Sequence, residues 1–233
     1  MTLVSPTNPG VAGAPSAVLV LPGWQNSGPL HWQSLWEQAC GYRRVEQHDW
    51  DHPLRGDWIT RLEDEVLAVP AGQRITLVAH SLGCILVAAW AGISRSTARV
   101  QAAFLVALGD VESPAVRDQL PSWSPIARQK LPFKSLLVGS RNDPYCSFDK
   151  AQSLAASWGA EFVDAGAAGH INSDSNLGDW PAGHALLQGL QQGLQQGLQQ
   201  GLQHSLQQSQ LQGPPGGASL NLPVSTLYKV ATP

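Results

Sequence analysis

ITLVAHSLGCILVAAWA, residues 75–91, is the stretch whose reading settles the fold. Ile75 to Ala79 read as a parallel strand, almost wholly apolar because such a strand is buried on both faces. The strand runs straight into Ala79-His80-Ser81-Leu82-Gly83 and then into an apolar helical segment. A sharp strand-to-helix turn exposes the side chain at its apex and crowds the residues two before and two after it. Those residues must be small, and Ala79 and Gly83 satisfy that requirement. This is the pattern of a nucleophile elbow with Ala in place of the first Gly, which makes Ser81 the candidate nucleophile. The backbone N–H of Leu82 lies at the start of the helix, where unpaired amides and the helix dipole favour a developing oxyanion.

Working outward, AVLVLP (17–22), YRRVEQHDW (42–50), AAFLVAL (102–108), SLLVG (135–139) and AEFVDA (160–165) read as further strands. PLHWQSLWEQAC, GDWITRLEDEVLAV and SFDKAQSLAASW lie between them with apolar residues at roughly helical spacing. Alternating strands and helices imply an α/β fold with a mostly parallel central sheet and helices on both faces. Ligands in such sheets bind beyond the carboxyl ends of the strands, so chemistry is sought just after each strand.

A serine at its free pKa is a poor nucleophile and needs a base. With this elbow the partners follow in the order serine, acid, histidine. SLLVGSRNDPY places Asp143 in a turn directly after a strand; the rival Asp149 falls in the next helix, where a surface role is more natural. AEFVDAGAAGHINSD then places His170 in a Gly/Ala-rich loop after the last strand, as general base. His31, His48 and His52 precede the elbow, His184 and His204 fall in the last helix and tail, and His80 adjoins the nucleophile with its side chain directed away. The loop LPGWQNSGPLHW follows the first strand, and the N–H of Trp24 is the candidate second oxyanion donor because Gly23 leaves room for close approach. His80, Gln25 and Trp123 are candidate pocket residues. The stretch 109–132, which contains Trp123 and several prolines, is long enough for a small lid and too short for a substrate-enclosing domain.

With 233 residues, 43% of them hydrophobic and nine of them Trp, one core domain is expected. A net charge of −3 without any Lys/Arg run argues against a nucleic-acid partner. Residues 1–16 have no basic n-region and no long apolar stretch, and AVLVLP is far too short to span a bilayer. A flexible N-terminal extension, no membrane association and a cytoplasmic location are the expectations. Cys40, Cys84 and Cys146 form no CxxC pair, so they read as free thiols in buried packing positions, with no metal site.

The hydrolase-type domain spans 17–190 on this reading, and 191–233 is a low-complexity Gln/Leu/Gly tail. No Asp, Glu, Lys or Arg occurs between Asp179 and Lys229. Glycines at 189, 193, 197 and 201 should each cost a helix ~1 kcal/mol relative to Ala. Leucines at 190, 194, 198 and 202 advance about 40° per step, so they hold no single seam. Pro181 to about Leu190 read as the last helix; beyond it a weak helix or disorder is expected, ending in the linker GPPGG. A protein partner bound through this tail is an alternative to an extension without catalytic purpose.

Together, VLVLPGWQNSGPLHWQSLWE, VEQHDWDHPLRGDW, LVAHSLGC, GSRNDPYCS and GHINSDSNLGDWPAG resemble the small serine hydrolases related to retinoblastoma-binding protein nine and bacterial YdeN. The resemblance runs from about Ala17 to Gln188. It implies a compact α/β-hydrolase fold with little or no cap, a triad of Ser81, Asp143 and His170, no cofactor, and hydrolysis of a small ester or amide through an acyl-enzyme. The Gln-Gly-Leu tail departs from the family pattern, and ALGDVESP (107–114) departs from the usual residues after its strand. Acyl transfer to an acceptor other than water uses the same triad. A non-catalytic interaction protein on the same scaffold is the other alternative. An Asp-nucleophile dehalogenase is disfavoured by the serine at the elbow.

Overall fold

The computed structural model describes residues 16–211. The expected N-terminal extension, save Ser16, and the GPPGG linker lie outside the described residues. In chain order the elements are β1 (Ala17–Leu21), α1 (Trp32–Cys40), β2 (Arg43–Arg44), α2 (Arg55–Ala68), β3 (Ile75–His80), α3 (Leu82–Ala91), β4 (Val100–Val106), the single turn α4 (Pro114–Arg117), β5 (Lys134–Gly139), α5 (Phe148–Trp158), β6 (Glu161–Asp164) and α6 (Pro181–Leu211). Three 3-10 turns lie in the connections.

The six strands form one sheet in the order β2-β1-β3-β4-β5-β6, and every neighbouring pair is parallel. Alternate residues of the central strands serve opposite faces. Leu19, Leu77, Leu105 and Leu137 join a cluster with Trp58 and Leu62 of α2, Trp90 of α3 and Trp158 of α5. Phe104 faces the other way, its ring centroid 6.3 Å from Trp36 of α1 and 6.1 Å from Trp180. Burial on both faces explains why β3 and β4 are almost unbroken apolar runs, where a half-exposed strand would alternate.

The order of the strands reverses between β1 and β3. From β1 the chain steps outward to β2, then returns past β1 and continues outward through β3, β4, β5 and β6. Connections on the two sides of such a reversal diverge, which opens a crevice at the carboxyl ends of β1 and β3.

Two expectations need correction, the strand over 42–50 and the burial of Cys40. The strand expected over 42–50 shrinks to Arg43–Arg44, because only Leu19 and Val20 of β1 pair with it. After Val45 N–H donates to Val20 O (2.9 Å), the chain leaves the sheet, and the carbonyls of Asp49 and Trp50 accept from Trp58 Nε1 and Gln25 N. Beyond Leu190, where a weak helix or disorder is the expectation, α6 continues as helix to Leu211. Glycine weakens a helix through backbone freedom and not through a clash, and Gln and Leu are good helix formers. By its internal contacts the chain divides between Gln192 and Gly193. Finally, Cys84 and Cys146 are buried thiols as expected, whereas Cys40 at the end of α1 is exposed, its Sγ 3.7 Å from His184 Nε2.

Two histidines sit in this core. His31, the N-cap of α1, is 4% exposed, and its Nδ1 accepts from Gln33 N–H. Nε2 therefore carries its proton and is buried without a hydrogen-bond partner among the described residues. His80, the last residue of β3, packs its ring 4.7 Å from that of His31. Burial first, then the neighbouring His170 and Arg44, pushes the pKa of His31 down to about 3. Burial, then His31 and His170, holds His80 well below the ordinary histidine range. Both rings stay neutral when folded but take up protons near pH 6.5 when unfolded, so the unfolded state binds more protons in the acid range. Stability should accordingly be level above about pH 7. For His31 it should fall as the pH drops from about 6.5 towards 4, by ~1.4 kcal/mol per pH unit, with His80 adding in the same direction. Urea unfolding from pH 8 to pH 4 checks this: the slope should diminish in His31→Gln, and an unchanged slope would refute the assignment.

Candidate active site

The residue at the apex of the elbow is Ser81, the N-cap of α3, with φ 54° and ψ −120°. A non-glycine residue held there costs roughly 1–3 kcal/mol, and it persists only where the surroundings over-determine it. They do so on both sides. Ser81 N–H donates to Val106 O at 3.0 Å. A Cβ placed on Gly83 would lie 2.3 Å from Leu21 O, and one placed on Gly23 would lie 2.7 Å from Ser81 Cβ. The backbones at the ends of β1 and β3 thus pack so closely that only glycine fits at either point, and the serine hydroxyl is left facing the crevice.

His170 lies in the loop after β6 and Asp143 in the loop after β5, far from Ser81 in sequence. The structure brings the three side chains into one line. His170 Nδ1 is 2.9 Å from both carboxylate oxygens of Asp143, and His170 Nε2 is 3.0 Å from Ser81 Oγ. A carboxylate only accepts, so Nδ1 carries the imidazole proton and Nε2 presents its lone pair to the serine O–H. The Asp143 and His170 side chains are 3% and 8% exposed, which keeps the pair out of the screening of bulk water. Asp149, the rival acid, sits in the first turn of α5 and is exposed.

The loop that carries the imidazole is tied down on several sides. Gly169 N–H donates to Asn142 Oδ1 (2.7 Å), Ala168 N–H to Ser140 Oγ (2.9 Å), and Trp32 Nε1 to Ile171 O (2.8 Å). His80 Nε2–H donates to the carbonyl of His170 itself at 2.9 Å, with the two rings edge to face at 4.8 Å. The side chain of His80 thus meets the histidine loop and the ring of His31. It is 5% exposed and lies under the histidine loop, where it does not line an open pocket.

The loop after β1 lies on the opposite side of Ser81. Among the described residues the N–H of Trp24 makes no hydrogen bond, and the N–H of Leu82, first in α3, has no intrahelical acceptor. Arg44 holds the loop through Asn26 Oδ1 (2.8 Å) and Ser27 O (3.0 Å), and ties it to α1 through Ser34 Oγ (2.7 Å) and the Glu37 carboxylate (2.8 Å). Trp24 Nε1 donates to Asp51 O (2.9 Å), and Gln25 is exposed with its N–H bonded to Trp50 O (3.0 Å).

Trp123 is a correction. It is fully buried in the core, its Nε1 donates to Pro53 O (2.8 Å), and its ring meets Trp58 edge to face at 5.3 Å, so it does not line a pocket. Its large apolar area drives it inward, and a loop carbonyl satisfies the one polar atom. Two neighbours of the site escaped the sequence reading. Gly109 brings the backbone after β4 so close that an added Cβ would lie 3.4 Å from Ser81 Oγ. Tyr145, 52% exposed, lays its ring 4.5 Å from that of His170. The GSRNDPY turn could have flagged Tyr145, two residues after the candidate acid. No cap domain intervenes among the described residues, since β4 and β5 are joined by α4 and a 3-10 turn alone. Among the described residues no group of three or more His, Cys, Asp or Glu is placed to hold a metal ion. No helix among them is long and apolar enough to cross a membrane.

A family described as serine hydrolase matches residues 18–189. No curated protein matches the chain. Among solved structures, a YdeN-like hydrolase from Pectobacterium atrosepticum is 28% identical, with a TM-score of 0.66 over 76% of this chain and 91% of that one. The ydeN gene product of B. subtilis is 18% identical, with a TM-score of 0.59 over 76% of this chain and 98% of its own. Est1E from Butyrivibrio proteoclasticus, in a structure with ferulic acid bound, shares the fold at 11% identity, a TM-score of 0.56, and coverage of 76% and 90%. The all-parallel sheet, the elbow after β3 and the family match over most of the chain agree, and the protein belongs to the serine hydrolase family, with an α/β-hydrolase fold.

Proposed function

We propose that the protein hydrolyses a small ester or amide through an acyl-enzyme formed on Ser81. The observation that carries this reading is the buried line Asp143–His170–Ser81, with contacts of 2.9 and 3.0 Å and the imidazole lone pair on the serine side. His170 takes the Ser81 proton as Oγ attacks the carbonyl carbon, and Asp143 holds the ring in the required tautomer while balancing the imidazolium charge. The amides of Leu82 and Trp24 face the developing oxyanion from the β1 and β3 side, where the first turn of α3 adds its dipole. His170 then returns the proton to the leaving atom, and water activated by the same imidazole releases the acid.

His80 enters as a positioning residue. Its N–H holds the His170 carbonyl, so its loss leaves a buried acceptor unpaired and frees the imidazole to drift from the serine. Such a loss is worth roughly 1–3 kcal/mol.

Ser81→Ala should retain the fold, judged by circular dichroism and melting temperature, while kcat towards p-nitrophenyl butyrate falls by about 10³-fold or more. Wild type should label with a fluorophosphonate at Ser81, and the variant should not. Turnover that survives in Ser81→Ala, or a folded wild type that the probe ignores, would defeat the reading. For His80, replacement by Leu should lower kcat about ten-fold or more with little change in KM, whereas Gln, which keeps an N–H donor, should recover part of the loss. Equal kcat in the two variants would show that the hydrogen bond does not position the base.

A further inference from the structure

A cavity of about 580 Å³ opens beside His170. Its walls come from the β5–α5 and β6–α6 loops and include Asn142, Pro144, Tyr145, Asp174 and Leu177. Ser81, Leu82 and Trp24 are not among its lining residues. In the sheet order β5 and β6 lie on one side of β3, and β1 lies on the other. A tetrahedral carbon on Ser81 Oγ, with its oxyanion turned to the amides on the β1 side, carries its leaving group towards His170 Nε2 and so towards this cavity.

The chemistry of the walls is one-sided. Among the lining residues there is no Lys or Arg. Asp174 supplies a carboxylate that makes no hydrogen bond or ion pair among the described residues. Tyr145 is held by its backbone, its N–H on Asp143 Oδ1 (2.9 Å) and its carbonyl accepting from Asp110 N–H (3.0 Å). Its ring is left exposed on a fixed support, tilted 60° to the reacting imidazole with the centroids 4.5 Å apart. An aromatic face and an unpaired carboxylate around one cavity favour a cation, through ring quadrupole and charge together. An anion there would meet the carboxylate without any counter-charge.

We propose that this cavity is the leaving-group subsite and that it favours an alcohol or amine bearing an alkylammonium group. The inference rests on Ser81 being the nucleophile. The step balances simply: the Oγ–carbon bond forms as the Ser81 proton moves to His170 Nε2. The carbon–oxygen or carbon–nitrogen bond of the substrate then breaks, and that proton passes to the departing atom.

Three butyrate esters that differ only in the alcohol test it: choline, its uncharged isostere 3,3-dimethylbutanol, and the anionic 3-hydroxypropanoate. At low ionic strength kcat/KM should rank them in that order, each step about three- to five-fold, the range of a solvent-accessible charge contact. Asp174→Asn, at an exposed position, should shrink the choline-to-isostere ratio, as should 1 M NaCl, and Tyr145→Leu should shrink it further. Turnover of all three esters at equal rates, or a ratio indifferent to Asp174→Asn, would overturn the subsite while leaving the hydrolase reading intact. Failure of every ester together with absence of fluorophosphonate labelling would remove both.

Discussion

The backbone of Gly83 lies so close to the carbonyls of Leu21 and Pro22 that a side chain cannot be inserted between them, and on that contact the rest of the site depends. It pulls the start of α3 against the end of β1 and forces the chain to turn within one residue of β3. Ser81 is thereby held at positive φ with its hydroxyl in the crevice where the strand order reverses. The same closeness brings Gly23, one residue before Trp24, against the Ser81 side chain. Strain at the apex is tolerated because β3 is buried along its whole length between β1 and β4, which are buried at all but one residue each, so none can relax individually.

Loops beyond such a sheet have no ladder of their own, and here indole N–H groups anchor them. Trp24 donates to Asp51 O, Trp58 to Asp49 O and Trp123 to Pro53 O, so three rings fix the segment after β2. Trp32 and Trp36 donate to Ile171 O and Asp179 O in the histidine loop and the approach to α6. Each ring buries a large apolar area, and its single donor meets a carbonyl that would otherwise lie unpaired. The Trp-rich composition is therefore tied to the site: the loops that bear the proposed base and one proposed oxyanion donor are both anchored in this way.

The histidine cluster serves the same end by burial. His31 caps α1, His80 closes β3, and the ring of His80 lies between those of His31 and His170. With His31 and His80 both held neutral, the His80 ring packs against His170 without placing charge beside it, so the imidazolium of the proposed mechanism would have Asp143 as its ion partner. His80, adjacent to the proposed nucleophile in sequence, thus meets the backbone of the proposed base.

Much of this was written in short-range pattern. Apolar runs of five to seven residues revealed strands buried on both faces, small residues flanking Ser81 revealed the elbow, and chain order singled out Asp143 and His170 among many carboxylates and seven histidines. Those features are local, because strand period, turn crowding and element order are properties of adjacent residues. What is set by contacts across the fold was not legible: the shortening of β2, the burial of Trp123, the support of His170 by His80, and the approach of the Tyr145 ring to the imidazole. A side chain's neighbours across 25 to 90 residues of sequence are chosen by the packing of the whole sheet. The sequence alone thus determined which groups the fold carries to the carboxyl edge, and only the tertiary structure decided which groups hold them there.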